Sequence, residues 1–258
     1  MERQSNMDLT GKLAVVTGGS GDIGRAICEA LAAAGADVTV TYVGDLERAN
    51  TSADLVRAAG RAADVLQLDQ RDEASIDAAA AAVADRGRCD VLVNNAAWNI
   101  GIPFRNLETL DSATWDRVQE TNLRGPYLLT RALAEMLQAD GGGRVVNIAS
   151  VGGLLPGSSS IAYSCSKAAL IHLTHCLAVA MSPTVTVNCV APGLVEGTRM
   201  AARLPDEISE GARRASLLGQ VGSPIDIASA TVMLCQAESI TGQTMVVDGG
   251  NPAAMNFG

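Results

Sequence analysis

Apolar positions along the chain follow two spacings. Short continuous runs of Val, Ile, Leu and Ala recur between longer stretches where apolar residues return every three or four positions. The first pattern is that of a strand buried on both faces, the second that of a helix with one apolar side. Strands are predicted over 12–17 (KLAVVT), 37–43, 63–68, 90–94, 144–149, 185–190 and 244–247. Helices are predicted over 23–34, 46–59, 72–85, 112–138, 163–181 and 224–236. Gly35 and Gly60 close the first two helices. The alanine run 78–82, between Ile76 and Val83, reads as a helix pressed close to a sheet. Repeated strand–helix units predict an α/β fold: one doubly wound domain, a parallel seven-stranded sheet with helices on both faces. Residues 1–8 read as a flexible lead and 9–258 as the single domain. In such sheets ligands bind beyond the carboxyl ends of the strands.

Composition narrows the class. Of 258 residues 48 % are hydrophobic but only 3 % aromatic, so the core must be aliphatic. A net charge of −9 argues against nucleic acid or an anionic membrane as partner. The opening MERQSNM lacks the apolar stretch of a secretory signal, and no apolar run reaches the roughly 18 residues of a membrane span. Six cysteines occur without a CxxC pair and mostly within apolar stretches. They read as reduced, buried thiols of a cytoplasmic protein.

The first strand runs into Thr17-Gly18-Gly19-Ser20-Gly21-Asp22-Ile23-Gly24 and then a helix. Glycines at such a junction let backbone amides approach a pyrophosphate at the helix N-terminus. In NAD-binding versions an acid closes the second strand and binds the ribose hydroxyls. Here that strand ends Thr41-Tyr42-Val43-Gly44, and the first acid is Asp45. Without a carboxylate at Tyr42 nothing repels a 2′-phosphate, and Arg48 follows in the next helix. NADP(H) is therefore favoured over NAD(H).

Ser150 ends the fifth strand, Tyr163 follows, and Lys167 lies one helical turn beyond it. Residues i and i+4 share a helix face. A free tyrosine titrates near about 10 and is a poor base, but a nearby ammonium favours the phenolate. Such a tyrosine can exchange a proton with an alcohol or ketone oxygen that Ser150 also holds. His172 and His175, three apart on the same helix, have no acid or cysteine at metal spacing, so they read as helix core or interface and no metal is predicted. Cys165 reads as packing, and Trp115 as the anchor of the 112–138 helix.

Taken together, these motifs resemble the short-chain dehydrogenase/reductase family from Leu9 to Gly250, in particular the branch containing the 3-oxoacyl-acyl-carrier-protein reductases. Thr17–Gly24 resembles the TGxxxGxG loop, with Asp22 at the middle glycine and Gly21 one place early. Asp69, with Gln70 beside it, resembles the adenine-contacting acid. Asn94-Asn95-Ala96-Ala97 resembles NNAG, Pro192-Gly193 the PG turn, and Val247-Asp248-Gly249-Gly250 the C-terminal signature. The resemblance implies that Tyr163 is the acid/base, that Ser150 orients the substrate oxygen, and that Lys167 binds the nicotinamide ribose and lowers the tyrosine pKa. It implies that Asn122 holds a water in a proton relay and that Asn95 and Ala96 line the cofactor. Val195 would offer backbone to the carboxamide, with Thr198 nearby. It also implies a homotetramer, built through the 112–138 and 163–181 helices and through the C-terminal strand.

The basic residues with which carrier-protein reductases dock an acidic carrier fall at Leu128 and near 183–184, and neither is basic here. With the net negative charge, this argues against a protein-bound acidic substrate. Pocket walls are expected from Trp98, Leu154, Leu155, Gly193 and Met200, around Ser150 and Tyr163, beneath a mobile lid over about 194–218. These walls suit a small or medium, mostly apolar ketone or secondary alcohol. Two readings stay open beside that one: a 3-oxoacyl-acyl-carrier-protein reductase, and a dinucleotide-binding sensor or scaffold without turnover.

Overall fold

The protein is described by a computed structural model over residues 6–254. Residues 1–5 of the expected lead and the last four residues of the chain lie outside that span. Within it, the Met7 N–H donates to the Gln236 carbonyl at 2.7 Å.

Seven strands form one sheet: β1 (Leu13–Val16), β2 (Asp37–Tyr42), β3 (Ala63–Gln67), β4 (Val91–Asn94), β5 (Arg144–Ile148), β6 (Thr186–Pro192) and β7 (Thr244–Val247). Their order is β3-β2-β1-β4-β5-β6-β7, and every pairing is parallel. The strand pleat sends successive side chains to opposite faces. Ala14 and Val16 join one core cluster while Leu13 and Val15 join the other. The first cluster is covered by α1 (Asp22–Ala33), α2 (Leu46–Ala58) and α9 (Pro224–Gln236). The second is covered by α3 (Glu73–Ala84), α5 (Gly125–Ala132), α6 (Ala134–Gln138) and the long α7 (Ile161–Ala180). Leu31, Leu92 and Leu137 are fully buried, and truncating such a leucine to alanine costs about 2–5 kcal/mol.

Side chains start several helices where the chain leaves the carboxyl edge of the sheet. Asp45 accepts from Arg48 N, Asp72 from Ala74 N, and Ser160 from Tyr163 N. Ser223 and Asp226 cap α9 reciprocally. In contrast, α1 begins at Gly21 with no side-chain cap.

The structure departs from the sequence reading in the 112–138 helix, at two cysteines and at Trp115. The expected 112–138 helix is broken into α4 (Ser112–Gln119), a π-helical turn (Glu120–Arg124), α5 and α6. The cause is Gly125-Pro126. A Cβ on Gly125 would lie 2.7 Å from the Gln70 carbonyl oxygen, so only glycine passes there. Pro126 has no N–H to continue the ladder. The 194–218 stretch contains α8 (Asp206–Ala215), which buries no residue. Cys28, Cys89, Cys189 and Cys235 are buried as expected, but Cys165 and Cys176 are exposed on α7. His172 and His175 are exposed on α7, outside the core and on the side open to the interface reading, and Trp115 keeps 36 % of its surface rather than anchoring α4.

Candidate active site

The carboxyl ends of β1, β4, β5 and β6 bring the candidate residues to one edge. After β1 the chain turns at Gly18, whose φ is +62°. Gly24 has no room for a side chain: a Cβ would stand 2.3 Å from the Gly18 carbonyl oxygen and 2.7 Å from Asn95 Nδ2. The loop is thus folded onto the end of β4. Asn95 Nδ2 donates to the carbonyls of Thr17 (2.8 Å) and Gly18 (3.2 Å), and Thr17 Oγ1 accepts from the N–H of Asn95 and of Ala96. The amides of the α1 N-terminus have no side-chain cap. Uncapped amides at the positive end of a helix dipole are a fit for the pyrophosphate of a dinucleotide.

Around this loop, Ser20 and Asp22 are held from outside. Arg48 Nε donates to the Ser20 carbonyl at 2.9 Å, and Arg48 Nη2 meets Asp22 Oδ1 at 2.6 Å. Ile23 packs on the core, and Tyr42 closes β2 half-buried. Asp69 is clasped by Arg71 through Nε (3.1 Å) and Nη2 (2.7 Å), which holds its carboxyl below the usual range against the opposing effect of burial. Gln70 is buried, and its Nε2 bridges the carbonyls of Ala96 and Thr121. Its amide nitrogen joins the end of β4 to the π turn, while its buried Oε1 has no hydrogen-bond partner.

At β5, Ser150 is buried and its Oγ accepts from Gly152 N at 3.0 Å. Tyr163 and Lys167 stand on one face of α7. Lys167 is 2 % exposed, donates from Nζ to the Ile148 carbonyl at 2.8 Å, and lies 5.7 Å from the Tyr163 ring centre. Burial pulls its pKa from 10.5 down to about 8. Burial also holds the Tyr163 phenol above its ordinary value, while the Ser150 hydroxyl works the other way. The lysine was expected to depress the phenol; here burial raises it, and the group that opposes burial is Ser150. A buried, easily deprotonated lysine beside a phenol is the kind of perturbed pair that marks reactive sites.

Asn122 is fully buried in the π turn. Its Oδ1 accepts from Trp98 N at 2.8 Å, and its Nδ2 donates to the Trp98 carbonyl (3.0 Å) and to Ser166 Oγ (3.1 Å). Both amide donors are spent on positioning the Trp98 loop against α7. Ser166 is thus a site residue that the sequence reading missed. So is Arg117, stacked 4.2 Å over the Trp98 ring. A serine three residues after the tyrosine and an arginine on an amphipathic face are too common to single them out without the fold.

The remaining candidates lie on the β6 side. Pro192 is buried, and a Cβ on Gly193 would lie 2.6 Å from Asp248 Cβ. Val195 is buried and bridges to Gly222. Thr198 Oγ1 donates to the Val195 carbonyl at 2.8 Å and accepts from Ala201 N, which shapes the following turn. Met200 and Leu154 are exposed and Leu155 and Trp98 half-buried. Leu154 and Leu155 face a cavity of about 800 Å³ along β7, beside Leu218, Val246 and Asp248. Ser150, Tyr163, Trp98, Gly193 and Met200 do not line that cavity, so the structure does not gather the expected pocket walls around one space. No cluster of metal-ligating side chains occurs among the described residues, and no described helix is long and apolar enough to cross a membrane.

Comparison with known proteins agrees with this geometry. Residues 19–251 match a family model described as enoyl-(acyl carrier protein) reductase of the short-chain alcohol dehydrogenase group. The chain is 35 % identical to a 3-oxoacyl-acyl-carrier-protein reductase of Aquifex aeolicus, over 94 % of this chain and 98 % of that one. It is also 35 % identical to galactitol 2-dehydrogenase of Agrobacterium fabrum, covering 95 % and 99 %. A short-chain dehydrogenase of Burkholderia cenocepacia, solved in complex with NADP, superposes with a TM-score of 0.87 at 35 % identity, covering 95 % of this chain and all of the other. The chain belongs to the short-chain dehydrogenase/reductase family, and is an oxidoreductase that interconverts alcohols and ketones with a nicotinamide dinucleotide.

Proposed function

We propose that the protein is a ketone reductase or secondary-alcohol dehydrogenase in which Tyr163 moves the proton, Ser150 holds the substrate oxygen and Lys167 supports both. The observation that carries this reading is the buried Lys167 ammonium between the Ile148 carbonyl and the Tyr163 ring, beside Ser150. The bound dinucleotide supplies or takes the hydride. The uncapped start of α1, with Gly18, Gly21 and Gly24, would hold its pyrophosphate. Asp69, Asn95, Ala96 and the backbone of Gly193 and Val195 would hold the rest. Lys167, titrating near about 8, can give or take a proton near neutrality and so resupply the phenol. Asn122 acts on the relay through its backbone. Pro126 cannot supply the N–H that an α-helix would aim at the Asn122 carbonyl, so that oxygen is the group left to hold a water, since the side chain is committed to Trp98 and Ser166.

NADP(H) is the favoured cofactor. Tyr42 closes β2 where an acid would repel the 2′-phosphate, and Asp45 is engaged in capping α2. The substrate is a small or medium, mostly apolar ketone or alcohol, taken under a lid over about 194–218 of a single domain. The cellular setting is cytoplasmic, and the assembly a homotetramer joined through α4–α7 and through β7. A carrier-protein substrate remains the alternative because of the Aquifex relative. Leu128, at one of the docking positions, is buried.

Tyr163→Phe tests the chemistry. It should cut turnover by about 10²–10⁴-fold while NADPH titration stays unchanged. Unaltered turnover would overturn the assignment, and tight NADPH binding without turnover on a broad ketone panel would point instead to a sensor. Faster reduction of an acyl-carrier-protein thioester than of free ketones would establish the carrier-protein alternative.

A further inference from the structure

Asp22 stands where the family loop has a glycine, and an unpaired carboxylate there would oppose a pyrophosphate. The structure gives it other work. Its Oδ1 takes Arg48 Nη2 at 2.6 Å. Its Oδ2 takes the backbone N–H of Arg199 at 2.8 Å, with Arg199 Nε 3.6 Å away. Arg199 belongs to the segment that follows β6 and carries the exposed Met200, and it lies 177 positions along the chain from Asp22. One carboxylate therefore ties three parts together: the cofactor loop, the start of α2 and the segment leading to α8. The tie joins the α1 N-terminus to the segment after β6, the two sides of the cofactor site proposed above.

The neighbours fix both ends of the tie. Arg48 is anchored on the Ser20 carbonyl, lies 3.8 Å from Asp45, and shares its helix with Ser52, whose hydroxyl donates to the Gly19 carbonyl. Downstream, Thr198 turns the chain by bonding Val195 and Ala201, and Glu196 pairs with Arg213 of α8. Asp22 itself is only 21 % exposed. At that depth an ion pair with a backbone hydrogen bond is worth more than a fully solvated one.

We infer that Asp22 is a positioning residue that fastens the 196–203 segment to the cofactor loop, so that the dinucleotide leaves only when the Asp22–Arg199 contact opens. The inference rests on the cofactor site proposed above. It converts the departure from the family glycine from a liability into a latch, and it assigns Arg199 to cofactor retention rather than to substrate charge.

The test uses the full chain with Asp22→Ala, Asp22→Asn, Arg199→Ala and Asp22→Ala/Arg199→Ala. Limited trypsin digestion without cofactor reads the segment directly, at Arg203, Arg213 and Arg214. Stopped-flow NADPH dissociation reads retention. Asp22→Ala should speed both by about fivefold to tenfold. Asp22→Asn keeps an acceptor for the Arg199 N–H and should fall between it and the parent. Arg199→Ala loses only the guanidinium and should have a smaller effect, and the double variant should match Asp22→Ala, since coupled groups are not additive. Slower NADPH release from Asp22→Ala would show simple repulsion of the pyrophosphate and overturn the inference. Additive effects in the double variant, or unchanged digestion in every variant, would overturn it too. The digestion is independent of chemistry, so a failed Tyr163→Phe test leaves it standing.

Discussion

Lys167 offers the sharpest energetic test of the site. The residue is 2 % exposed and its pKa falls from 10.5 to about 8, chiefly through burial. At about 1.36 kcal/mol per unit, holding this charge in the folded protein at neutral pH costs roughly 3 kcal/mol. Lys167→Met removes that cost but leaves the Ile148 carbonyl without its donor, a loss of about 1–3 kcal/mol. The variant should therefore be inactive yet no less stable than the parent at pH 7, by up to about 2 kcal/mol. The sign with pH is fixed. Between about 8 and 10.5 the unfolded lysine keeps a proton that the folded one has released, so this group's contribution to stability rises with pH. Buried thiols act oppositely: Cys28 and Cys235 are pushed up to about 12 and favour the unfolded state as pH rises past 9. Both proteins share those cysteines, so the difference between them isolates the lysine. Urea unfolding at one protein concentration should show Lys167→Met losing about 2 kcal/mol relative to the parent between pH 7.5 and pH 10. A difference constant over that window would refute the burial argument.

Three further outcomes follow from the same structure. A thiol reagent under native conditions should spare Cys28, Cys89, Cys189 and Cys235 until the protein unfolds, as mass spectrometry would record. Asn122→Ala leaves Trp98 and Ser166 without their partner, and should cost about 2–4 kcal/mol of stability along with at least tenfold in kcat. Asp90, 5 % exposed, is held below the usual carboxylate range by Arg88, the Leu13 N–H and Lys12 although burial opposes them. Its contribution is full above the ordinary carboxylate pKa and is lost as pH falls through the lowered one, so Asp90→Asn should flatten the acid limb of a thermal-unfolding profile.

The sheet was legible because its strands are apolar on both faces, a pattern that survives without tertiary context. The glycine loop, Ser150, Tyr163 and Lys167 were legible because each has a spacing tied to one element. The break in the 112–138 helix was written in Gly125-Pro126, but helical periodicity continues through it and hides it. What decides there is the approach of Gln70, a contact between parts of the chain 55 positions apart. The roles of Asp22, Arg199 and Ser166 were not legible for the same reason. Their meaning lies in partners that only the fold supplies, and a carboxylate looks alike in sequence whether it repels a phosphate or clasps an arginine. Cys165 and Cys176 misled because α7 is apolar on its outer side as well as its inner one.

The strand order also has a consequence for assembly in time. The chain lays down β1, then β2 and β3 on one flank, and only then β4 on the other. As the polypeptide emerges, the free edge of β1 stays open until residues 91–93 arrive to pair with 14–16. Long-range parallel pairing of this kind is slow and exposes sticky edges while it waits. The glycine loop projects from that open edge, and its ceiling, Asn95, arrives with the same late strand. A nascent chain stopped before β4 therefore carries the whole glycine loop and yet lacks the strand end that holds it in place.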